Sequence, residues 1–320
     1  MNLLLIGAFD EAERDEWATA LRAAMPGHRL CLARGEVDDA EIHAAIVANP
    51  PPGSLDELPG LRLIQSLWAG VDRLLADATL PPGVPIARMV DPAMNEAMAE
   101  TALWATLALH RGFFGYARQQ HAGEWRQQPQ RRADEVPVLV LGLGQMGRAV
   151  ARRLVQQGYP VSAWRRAVGD GGADLGAEAP AGVTVHRGAA ALPGALAQAQ
   201  VLINLLPLTP DTRGLIDATL LAQLPRGAGL VNLARGAHLI DADLLAALAS
   251  GQIGQAVLDV FAHEPLAADH PYWQHPRVVL LPHVAALTDA RSASAVVARN
   301  IEALDRGLPL ANLVARDAGY

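Results

Sequence analysis

The chain has 320 residues, of which 51% are hydrophobic, and a formal net charge of −7 at pH 7. Its length corresponds to about two domains, and the acidic balance, with no basic tail or lysine-rich stripe, argues against a nucleic-acid partner. No uninterrupted apolar run reaches the roughly 18 residues of a membrane-spanning helix, so no membrane partner is expected either.

The single cysteine, Cys31, excludes an internal disulfide framework and is typical of a protein in a reducing compartment. The first residues, MNLLLIGAFDE, contain an apolar stretch with no basic region before it and no evident cleavage site after it. This pattern predicts a buried first strand and not a signal peptide. We therefore expect a cytoplasmic protein.

Short apolar runs alternate with helical patterns along the chain, which predicts an α/β fold with parallel sheets covered by helices. Asp91 and Pro92 provide an N-cap and a first helical residue for a helix from Met94 to about Arg111. Because this helix is apolar on nearly every side, we expect it to be buried all round, as a helix crossing between two domains would be. In the first third of the chain, the candidate strands are Leu3–Ile6, Leu30–Leu32, Ala44–Val47, Leu61–Ile64 and Ile86–Ala87.

A polar stretch from His121 to Pro137 predicts a long connection, after which a second alternation begins. Helices are expected at Asp241–Ser250, which Gly251 ends, and at about Asp289 to Arg306, which Gly307 and Pro309 end. The candidate strands of this part are Val138–Leu141, Val161–Trp164, Thr184–His186, Val201–Leu205, Gly229–Leu233, Ile253–Leu258 and Val278–Leu281.

The segment GLGQMG, from Gly142 to Gly147, follows an apolar strand and opens a helical pattern. That is the setting in which G-x-G-x-x-G binds a dinucleotide. Gly142 permits a tight turn, Gly144 lets the backbone approach the pyrophosphate, and Gly147 lets helix and strand pack closely. The helix N-terminus then presents unpaired N–H groups to the phosphates. The alternative is a glycine turn in a nucleotide-free α/β domain.

The next strand, YPVSAW, ends in Arg165 and Arg166, where an NAD site usually carries an acidic residue for the ribose hydroxyls. Guanidinium groups bind a 2′-phosphate through charge-assisted, often bidentate hydrogen bonds. The sequence therefore predicts a preference for NADP(H), with NAD(H) possible. The alternative is that both arginines are simply solvated.

Three polar residues, Arg235, Glu264 and His283, each follow a predicted strand in the segments VNLARG, DVFAHEP and LPHVAA. Because the carboxyl ends of parallel strands form one edge of a sheet, these residues are expected to meet there. An arginine holds a carboxylate with its planar fork and polarises the adjacent ketone, and a histidine carries a proton near neutral pH. A carboxylate favours the imidazolium and orients the ring.

This combination predicts the reduction of a 2-oxo acid by hydride transfer. Taken singly, Arg235 is as well explained by a surface ion pair, His283 by a capping or core role, and Glu264 by solvation. Only their occurrence together with the dinucleotide loop favours the catalytic interpretation.

These segments resemble the D-isomer-specific 2-hydroxyacid dehydrogenase family, and within it the glyoxylate/hydroxypyruvate reductase A branch. The resemblance covers most of the chain from about Leu61 onward, whereas the first sixty residues match only in pattern. The matching segments are LRLIQSLWAGVD, VLGLGQMGRAVA, VLINLLPLTPDT, LVNLARGAHLIDADLLAAL, LDVFAHEPL and HPRVVLLPHVAALT.

The resemblance implies two Rossmann-like domains with parallel sheets. Residues 1–98 and 288–320 would form a substrate-binding domain, and residues 99–287 an inserted dinucleotide-binding domain. It also implies a homodimer and closure of the domains over a small substrate. The cofactor-binding residues would be Gly142, Gly144, Gln145, Met146, Gly147, Trp164, Arg165, Arg166, Leu206, Pro207, Thr212, Ala234, Asp259 and Ala285.

By the same resemblance, Arg235 would hold the substrate's carboxylate and carbonyl, His283 would be the acid/base, and Glu264 would pair with it. Backbone N–H groups of Ala69, Gly70 and Val71 would also bind the carboxylate. No metal is implied. The chain has Trp68 where many relatives have glycine, in G-A-G-V-D, and this indole either narrows the pocket or turns into the core.

The sequence therefore predicts an NADPH-dependent reductase of small 2-oxo acids such as glyoxylate and hydroxypyruvate. One alternative is a reductase of a bulkier acid such as phenylpyruvate. Another is a dinucleotide-sensing protein without catalytic turnover, because some proteins that resemble this family act as corepressors and keep the same three polar residues.

Overall fold

The computed structural model describes residues 1–166, 179–316 and 319. The chain forms two compact units. Unit 1 consists of Met1–Met94 together with Thr288–Tyr320, and unit 2 consists of Asn95–Leu287. Unit 2 is thus inserted into the sequence of unit 1. Each candidate strand of the sequence corresponds to a strand of the structure, with ends that differ by two residues or fewer.

Unit 1 is built on a five-stranded parallel sheet with the strand order β2-β1-β3-β4-β5. Its central strands are continuous apolar runs because helices cover both faces of a sheet of this kind. The helix that begins after Asp10 is capped by that carboxylate, which accepts the Glu13 N–H. The strands are β1 (Asn2–Gly7), β2 (Arg29–Cys31), β3 (Ile42–Ala48), β4 (Leu63–Ser66) and β5 (Ile86–Ala87), and the helices are α1 (Glu11–Ala24), α2 (Asp72–Leu75) and α9 (Ala290–Asp305).

The C-terminal segment completes unit 1. Helix α9 packs against α1, and its buried Asn300 donates a 2.7 Å hydrogen bond to Oε1 of Gln65 on β4. The Val314 N–H donates to the Ile86 carbonyl at 2.8 Å, which ties the last residues to the edge strand β5. Both ends of the chain therefore contribute to one core.

Unit 2 is built on a seven-stranded parallel sheet with the order β12-β11-β10-β9-β6-β7-β8. The chain enters at β6, continues outward through β7 and β8, and then crosses to β9 on the other side of β6. Such a reversal leaves a crevice at the carboxyl ends of β6 and β9, where open α/β sheets bind ligands. The strands are β6 (Val138–Leu141), β7 (Val161–Arg165), β8 (Val183–Arg187), β9 (Val201–Asn204), β10 (Ala228–Asn232), β11 (Ile253–Leu258) and β12 (Val278–Leu280).

Helices pack on both faces of this sheet and enclose two apolar clusters. One cluster includes Leu139, Leu202 and Leu230, and the other includes Val140, Ile203 and Val231, so alternate residues of the same strands face opposite sides. The helices are α3 (Pro92–Arg111, which begins in unit 1), α4 (Phe113–Ala122), α5 (Gln145–Gln156), α6 (Leu192–Leu196), α7 (Ala218–Gln223) and α8 (Asp241–Ser250).

Two expectations for this region were wrong. Helix α3 is not buried all round, because Glu96, Glu100 and Trp104 form an exposed stripe and 42% of Trp104 is accessible. Its many alanines made the sequence look apolar on every side. Helix α4 was not predicted, since its sequence FFGYARQQHA mixes aromatic and polar residues, and the polar connection begins only after Gly123.

Among the described residues, no helix combines the length and apolar character that crossing a bilayer requires. Within the same residues there is also no group of three or more His, Cys, Asp and Glu side chains arranged to hold a metal ion.

Candidate active site at the carboxyl edge of the unit 2 sheet

The three glycines of the loop after β6 have different physical roles. Gly142 has a left-handed φ of 95°, and a Cβ there would lie 2.7 Å from the Leu205 carbonyl oxygen. A Cβ on Gly147 would lie 2.0 Å from the Gly142 oxygen, so only glycine lets α5 approach the strand. Gly144 has an extended backbone, and a Cβ there would meet nothing within 4 Å. The protein itself thus leaves space at Gly144, in front of the α5 N-terminus, which is where a phosphate group fits.

Replacing Gly144 with alanine is therefore expected to remove dinucleotide binding without destabilising the fold. Its φ of −73° is accessible to alanine, and no protein atom obstructs the methyl group. We expect an unchanged thermal unfolding midpoint and at least a roughly 10-fold weaker dissociation constant for NADPH, measured by fluorescence titration, because a methyl group keeps the pyrophosphate from the backbone. Gly194→Ala is the matched control, since Gly194 also has no atom within 4 Å of a Cβ. Equal NADPH affinity in both variants would contradict this role of Gly144.

Three arginines lie at the end of β7 and its neighbour β8. Arg165 is the last residue of β7 and is the register partner of the exposed Arg187 on β8. Arg166 follows, and its Nη1 forms a 2.8 Å ion pair with Oδ2 of Asp211. The preceding Trp164 is 4% exposed, and its indole N–H donates to the Gly188 carbonyl at 2.9 Å. The indole thus supports the strand ends from within the core, whereas Arg165 and Arg166 are partly exposed and Arg187 is exposed.

The loop after β9 carries three further residues of the predicted cofactor site. Leu206 is 6% exposed, and the Thr212 hydroxyl is held between the Thr209 N–H and the Pro207 carbonyl, each at 2.8 Å. The Thr212 hydroxyl therefore stabilises the conformation of this loop. The structure places this loop beside Gly142, whose Cα faces the Leu205 carbonyl.

Arg235 lies in the loop after β10, partly exposed, with Nη1 donating to the Ala234 carbonyl at 2.7 Å. The following residue must be glycine, because a Cβ on Gly236 would lie 1.9 Å from the Phe261 carbonyl carbon. This close approach joins the Arg235 loop to the loop that carries Glu264. The loops that carry Arg235 and Glu264 are thus adjacent in the fold, although they are distant in sequence.

His283 and Glu264 are in direct contact. The Nδ1 atom of His283 lies 2.8 Å from Oε2 of Glu264, and Oε1 of Glu264 accepts the Phe261 N–H at 3.0 Å. Because a carboxylate only accepts, Nδ1 carries the proton and Nε2 is left to face a ligand. The His283 side chain is 49% exposed and that of Glu264 is 22% exposed, so the ring is accessible while its partner is sheltered.

Asp259 holds the histidine segment in place. The two oxygens of its carboxylate accept the Val284 N–H at 2.7 Å and the Ala285 N–H at 3.1 Å, and its carbonyl accepts the His283 N–H at 2.9 Å. His283 has a left-handed φ of 57° that these bonds stabilise. Burial raises the pKa of the Asp259 carboxyl, and the two N–H groups that it accepts oppose this shift. The carboxylate of Asp259 thus forms its hydrogen bonds with the backbone of the histidine loop.

Three buried residues of this edge were missed by sequence reasoning. Asn204, Asn232 and His238 have fully buried side chains that hydrogen-bond one another and the loops after β9 and β10. The signal in the sequence was an asparagine at the end of each of two apolar strands, VLIN and GLVN. Buried amides at strand ends usually have hydrogen-bond partners in the following loops.

The predicted carboxylate-binding loop, Trp68 to Val71, belongs to unit 1. The Trp68 indole is half-buried and packs edge-on against Trp17 of α1, with ring centroids 6.3 Å apart. The backbone N–H of Trp68 donates to the Ser66 hydroxyl at 3.0 Å, and that hydroxyl donates to the Trp68 carbonyl at 3.1 Å. That the N–H groups of Ala69, Gly70 and Val71 bind a carboxylate stays a prediction.

Comparisons with known proteins find similar sequences along the whole chain. Residues 103–285 match the family model described as D-isomer specific 2-hydroxyacid dehydrogenase, NAD binding domain. Glyoxylate/hydroxypyruvate reductase A of Serratia proteamaculans (strain 568) is 38% identical over 325 residues, covering 100% of both chains. The corresponding reductase of Yersinia enterocolitica is 36% identical over 326 residues, again covering 100% of both.

Two solved structures are similar over their whole length. A D-isomer specific 2-hydroxyacid dehydrogenase from Xanthobacter autotrophicus Py2, in complex with NADPH and MES, is 39% identical with a TM-score of 0.92, covering 100% of this chain and 99% of that one. The NADPH-dependent glyoxylate/hydroxypyruvate reductase of Sinorhizobium meliloti, in complex with NADP and sulfate, is 33% identical with a TM-score of 0.90 and the same coverage.

Proposed function

The chain belongs to the D-isomer specific 2-hydroxyacid dehydrogenase family, and from this premise we propose that it reduces small 2-oxo acids, such as glyoxylate and hydroxypyruvate, with NADPH. The observation that carries this proposal is the 2.8 Å contact between His283 and Glu264 on the sheet edge that also bears the glycine loop. That pair orients a proton donor beside a dinucleotide site. The names of the similar reductases support the choice of substrate.

In the proposed mechanism, Arg235 binds the substrate carboxylate and polarises its ketone oxygen. When bound, the nicotinamide supplies a hydride to the carbonyl carbon. His283 donates the proton from Nε2 to the oxygen, because its Nδ1 is committed to Glu264. The Glu264 carboxylate stabilises the imidazolium before the transfer and keeps the ring in place. Asp259 maintains the backbone of the histidine loop.

NADPH is the proposed cofactor because Arg165 ends β7 and Arg166 follows it, where an NAD site carries an acid. The space at Gly144 and the free N–H groups of the α5 N-terminus fit the pyrophosphate. Leu206, Pro207, Ala234 and Ala285 are proposed to contact the rest of the dinucleotide, with Gln145 and Met146 beside the phosphates. Residues 1–98 and 288–320 are proposed as the substrate-binding domain and residues 99–287 as the cofactor domain.

Changing Arg165 and Arg166 together to alanine is expected to weaken NADPH binding about 100-fold while NADH affinity changes less than about 3-fold, because only NADPH has the 2′-phosphate. Dissociation constants for both dinucleotides measure this directly. Arg152→Ala, which removes an exposed charge from α5, should change neither. Equal weakening of NADPH and NADH in the double variant would contradict the cofactor proposal.

The first assay is the loss of NADPH absorbance with glyoxylate, hydroxypyruvate and phenylpyruvate, with NADH run in parallel. Fast turnover of the two small acids with NADPH is the expected result. A preference for phenylpyruvate would favour the bulkier-acid alternative. Tight NADPH binding without turnover of any acid would favour the dinucleotide sensor.

We also propose a cytoplasmic homodimer whose interface includes three exposed aromatic residues of unit 2, Trp104, Phe113 and Trp125. These side chains are 42%, 53% and 97% exposed, which is unusual for large aromatic residues of a monomer. Trp104 also stacks edge-on against Phe114 of the next helix.

Replacing Phe113 with aspartate is expected to convert the dimer to a monomer, because a charge in an apolar interface is not solvated. Light scattering after size exclusion measures the mass. Leu313→Asp, at a position 50% exposed in unit 1, is the matched control and should stay dimeric. A wild-type protein that is already monomeric would contradict the proposal, and an F113D dimer would exclude this part of the proposed interface.

A further inference from the structure

Asn204, Asn232 and His238 form a single network, the buried amide–imidazole network, between the loops after β9 and β10. Asn204 and Asn232 end these two strands and are register partners, so their side chains project from neighbouring strands at the same level. The Asn204 Nδ2 donates to Oδ1 of Asn232 at 3.0 Å and to Nδ1 of His238 at 2.9 Å. All three residues are 0% exposed.

Backbone partners fix the donor and acceptor role of each atom in the network. The Leu206 N–H donates to Oδ1 of Asn204 at 3.2 Å, and the Arg235 carbonyl accepts from Nδ2 of Asn232 at 3.1 Å. Nε2 of His238 lies 3.2 Å from the Pro207 carbonyl and must carry the proton, since a carbonyl only accepts. Nδ1 is then the acceptor for Asn204, and His238 is a neutral imidazole that both donates and accepts.

The backbone groups held by this network belong to the proposed ligand sites. Leu206 and Pro207 lie in the cofactor loop, and the Ala234 N–H donates to Oδ1 of Asn232 at 3.3 Å. The Arg235 carbonyl accepts from both Asn232 and the His238 N–H, at 3.1 and 3.3 Å. Moving one loop without the other would therefore leave a buried polar atom without its partner, which is unfavourable.

We propose that His238 is a positioning residue that couples the cofactor loop to the Arg235 loop, so that binding of the dinucleotide strengthens binding of the substrate. His238 spans the two loops because its Nε2 reaches Pro207 while its own backbone follows Arg235 by three residues. The proposal rests on the proposed function, since it assigns the two loops to NADPH and to a 2-oxo acid. It predicts an energetic coupling that a merely structural histidine would not produce.

The experiment compares the affinity of the protein for oxalate, an unreactive two-carbon carboxylate, with and without saturating NADPH. The measured quantity is the ratio of the two dissociation constants. In the wild type we expect this ratio to be at least about 10, in the usual range of coupling between sites. His238→Leu, which keeps the volume but removes both side-chain bonds, should lower it about 5-fold or more. His238→Gln, with one donor and one acceptor, should recover part of the difference.

Leu248→Ala is the control for general destabilisation, because Leu248 is 1% exposed on α8 and contributes no polar group to the network. It should lower the unfolding temperature while leaving the ratio unchanged. If H238L does not fold, Asn204→Ala tests the network from β9, because it removes the bonds of Asn204 to His238, to Asn232 and to the Leu206 N–H, and it should also lower the ratio. A wild-type ratio near one, or variants of His238 and Asn204 that retain the wild-type ratio, would overturn the coupling. Absence of NADPH binding by the wild type would instead contradict the proposed function.

Discussion

Replacement of His283 by glutamine is expected to lower kcat by roughly 10²- to 10⁴-fold, the usual contribution of a general acid. Glutamine accepts or donates a hydrogen bond but does not release a proton to the ketone oxygen at neutral pH. Because the His283 side chain is 49% exposed, the substitution should leave the thermal unfolding midpoint nearly unchanged. The measurement is single-turnover NADPH oxidation with glyoxylate, which isolates the chemical step from product release.

The variant Glu264→Gln separates two effects of Glu264 on His283, namely the orientation of the ring and the negative charge beside it. An amide oxygen still accepts from Nδ1 of His283, so the ring keeps its orientation, but the negative charge is lost. We expect a fall in kcat of about 10-fold, smaller than that of H283Q, because only the stabilisation of the imidazolium is removed. The double variant should be no slower than H283Q alone, since Glu264 acts through the histidine. A rate for H283Q within a factor of about three of the wild type would exclude His283 as the acid.

Replacement of Arg235 by glutamine is expected to lower kcat/KM for glyoxylate by roughly 10²- to 10⁴-fold. Two charge-assisted hydrogen bonds to a carboxylate are each worth about 1.5 to 3 kcal/mol, and a tenfold change in rate corresponds to about 1.4 kcal/mol. Arg235→Lys keeps the charge without the planar fork, so we expect an intermediate loss. The distinguishing readout is NADPH affinity, which should stay within about 3-fold of the wild type in both variants.

Arg152→Gln is the matched control for the loss of one positive charge from unit 2, and it should leave kcat/KM unchanged. If R235Q and R152Q lost the same small factor, Arg235 would act only through the general field of the protein. If R235Q retained full activity, the substrate carboxylate would have to be held elsewhere.

The strands were predictable because a parallel sheet buries both faces, which makes its strands short apolar runs bounded by polar segments. The glycine loop was predictable because its strand, loop and helix are contiguous in sequence. Helix α4 was missed because it mixes aromatic and polar residues, and its two phenylalanines differ in burial: Phe113 is exposed, whereas Phe114 packs against the core. The burial of α3 was overestimated because its exposed side is narrow, marked by Glu96, Glu100 and Trp104 in a helix that is otherwise rich in alanine.

The site was predictable to the extent that Arg235, Glu264 and His283 each follow a strand of the sheet. His283 and Glu264 were expected to be close because both follow strands of one sheet and because the family resemblance implies that they pair, and the two side chains are in contact. The hydrogen bonds of Asp259 to the histidine loop depend on a turn of the backbone after β12 that no local pattern encodes. The buried amide–imidazole network joins residues 204, 232 and 238, so it exists only once β9 and β10 have paired.

The interleaved order of the two units has a consequence for synthesis on the ribosome. Unit 2 is contiguous in sequence, so all of its strands have been synthesised before α9 is made. Unit 1 is not contiguous. Gln65 and the edge strand β5 form hydrogen bonds with Asn300 and Val314, which are synthesised only after unit 2. The first ninety residues are therefore synthesised before unit 2 but completed after it, and during that interval their sheet has an unpaired edge and exposed apolar surface, which are the features that make folding intermediates prone to aggregation.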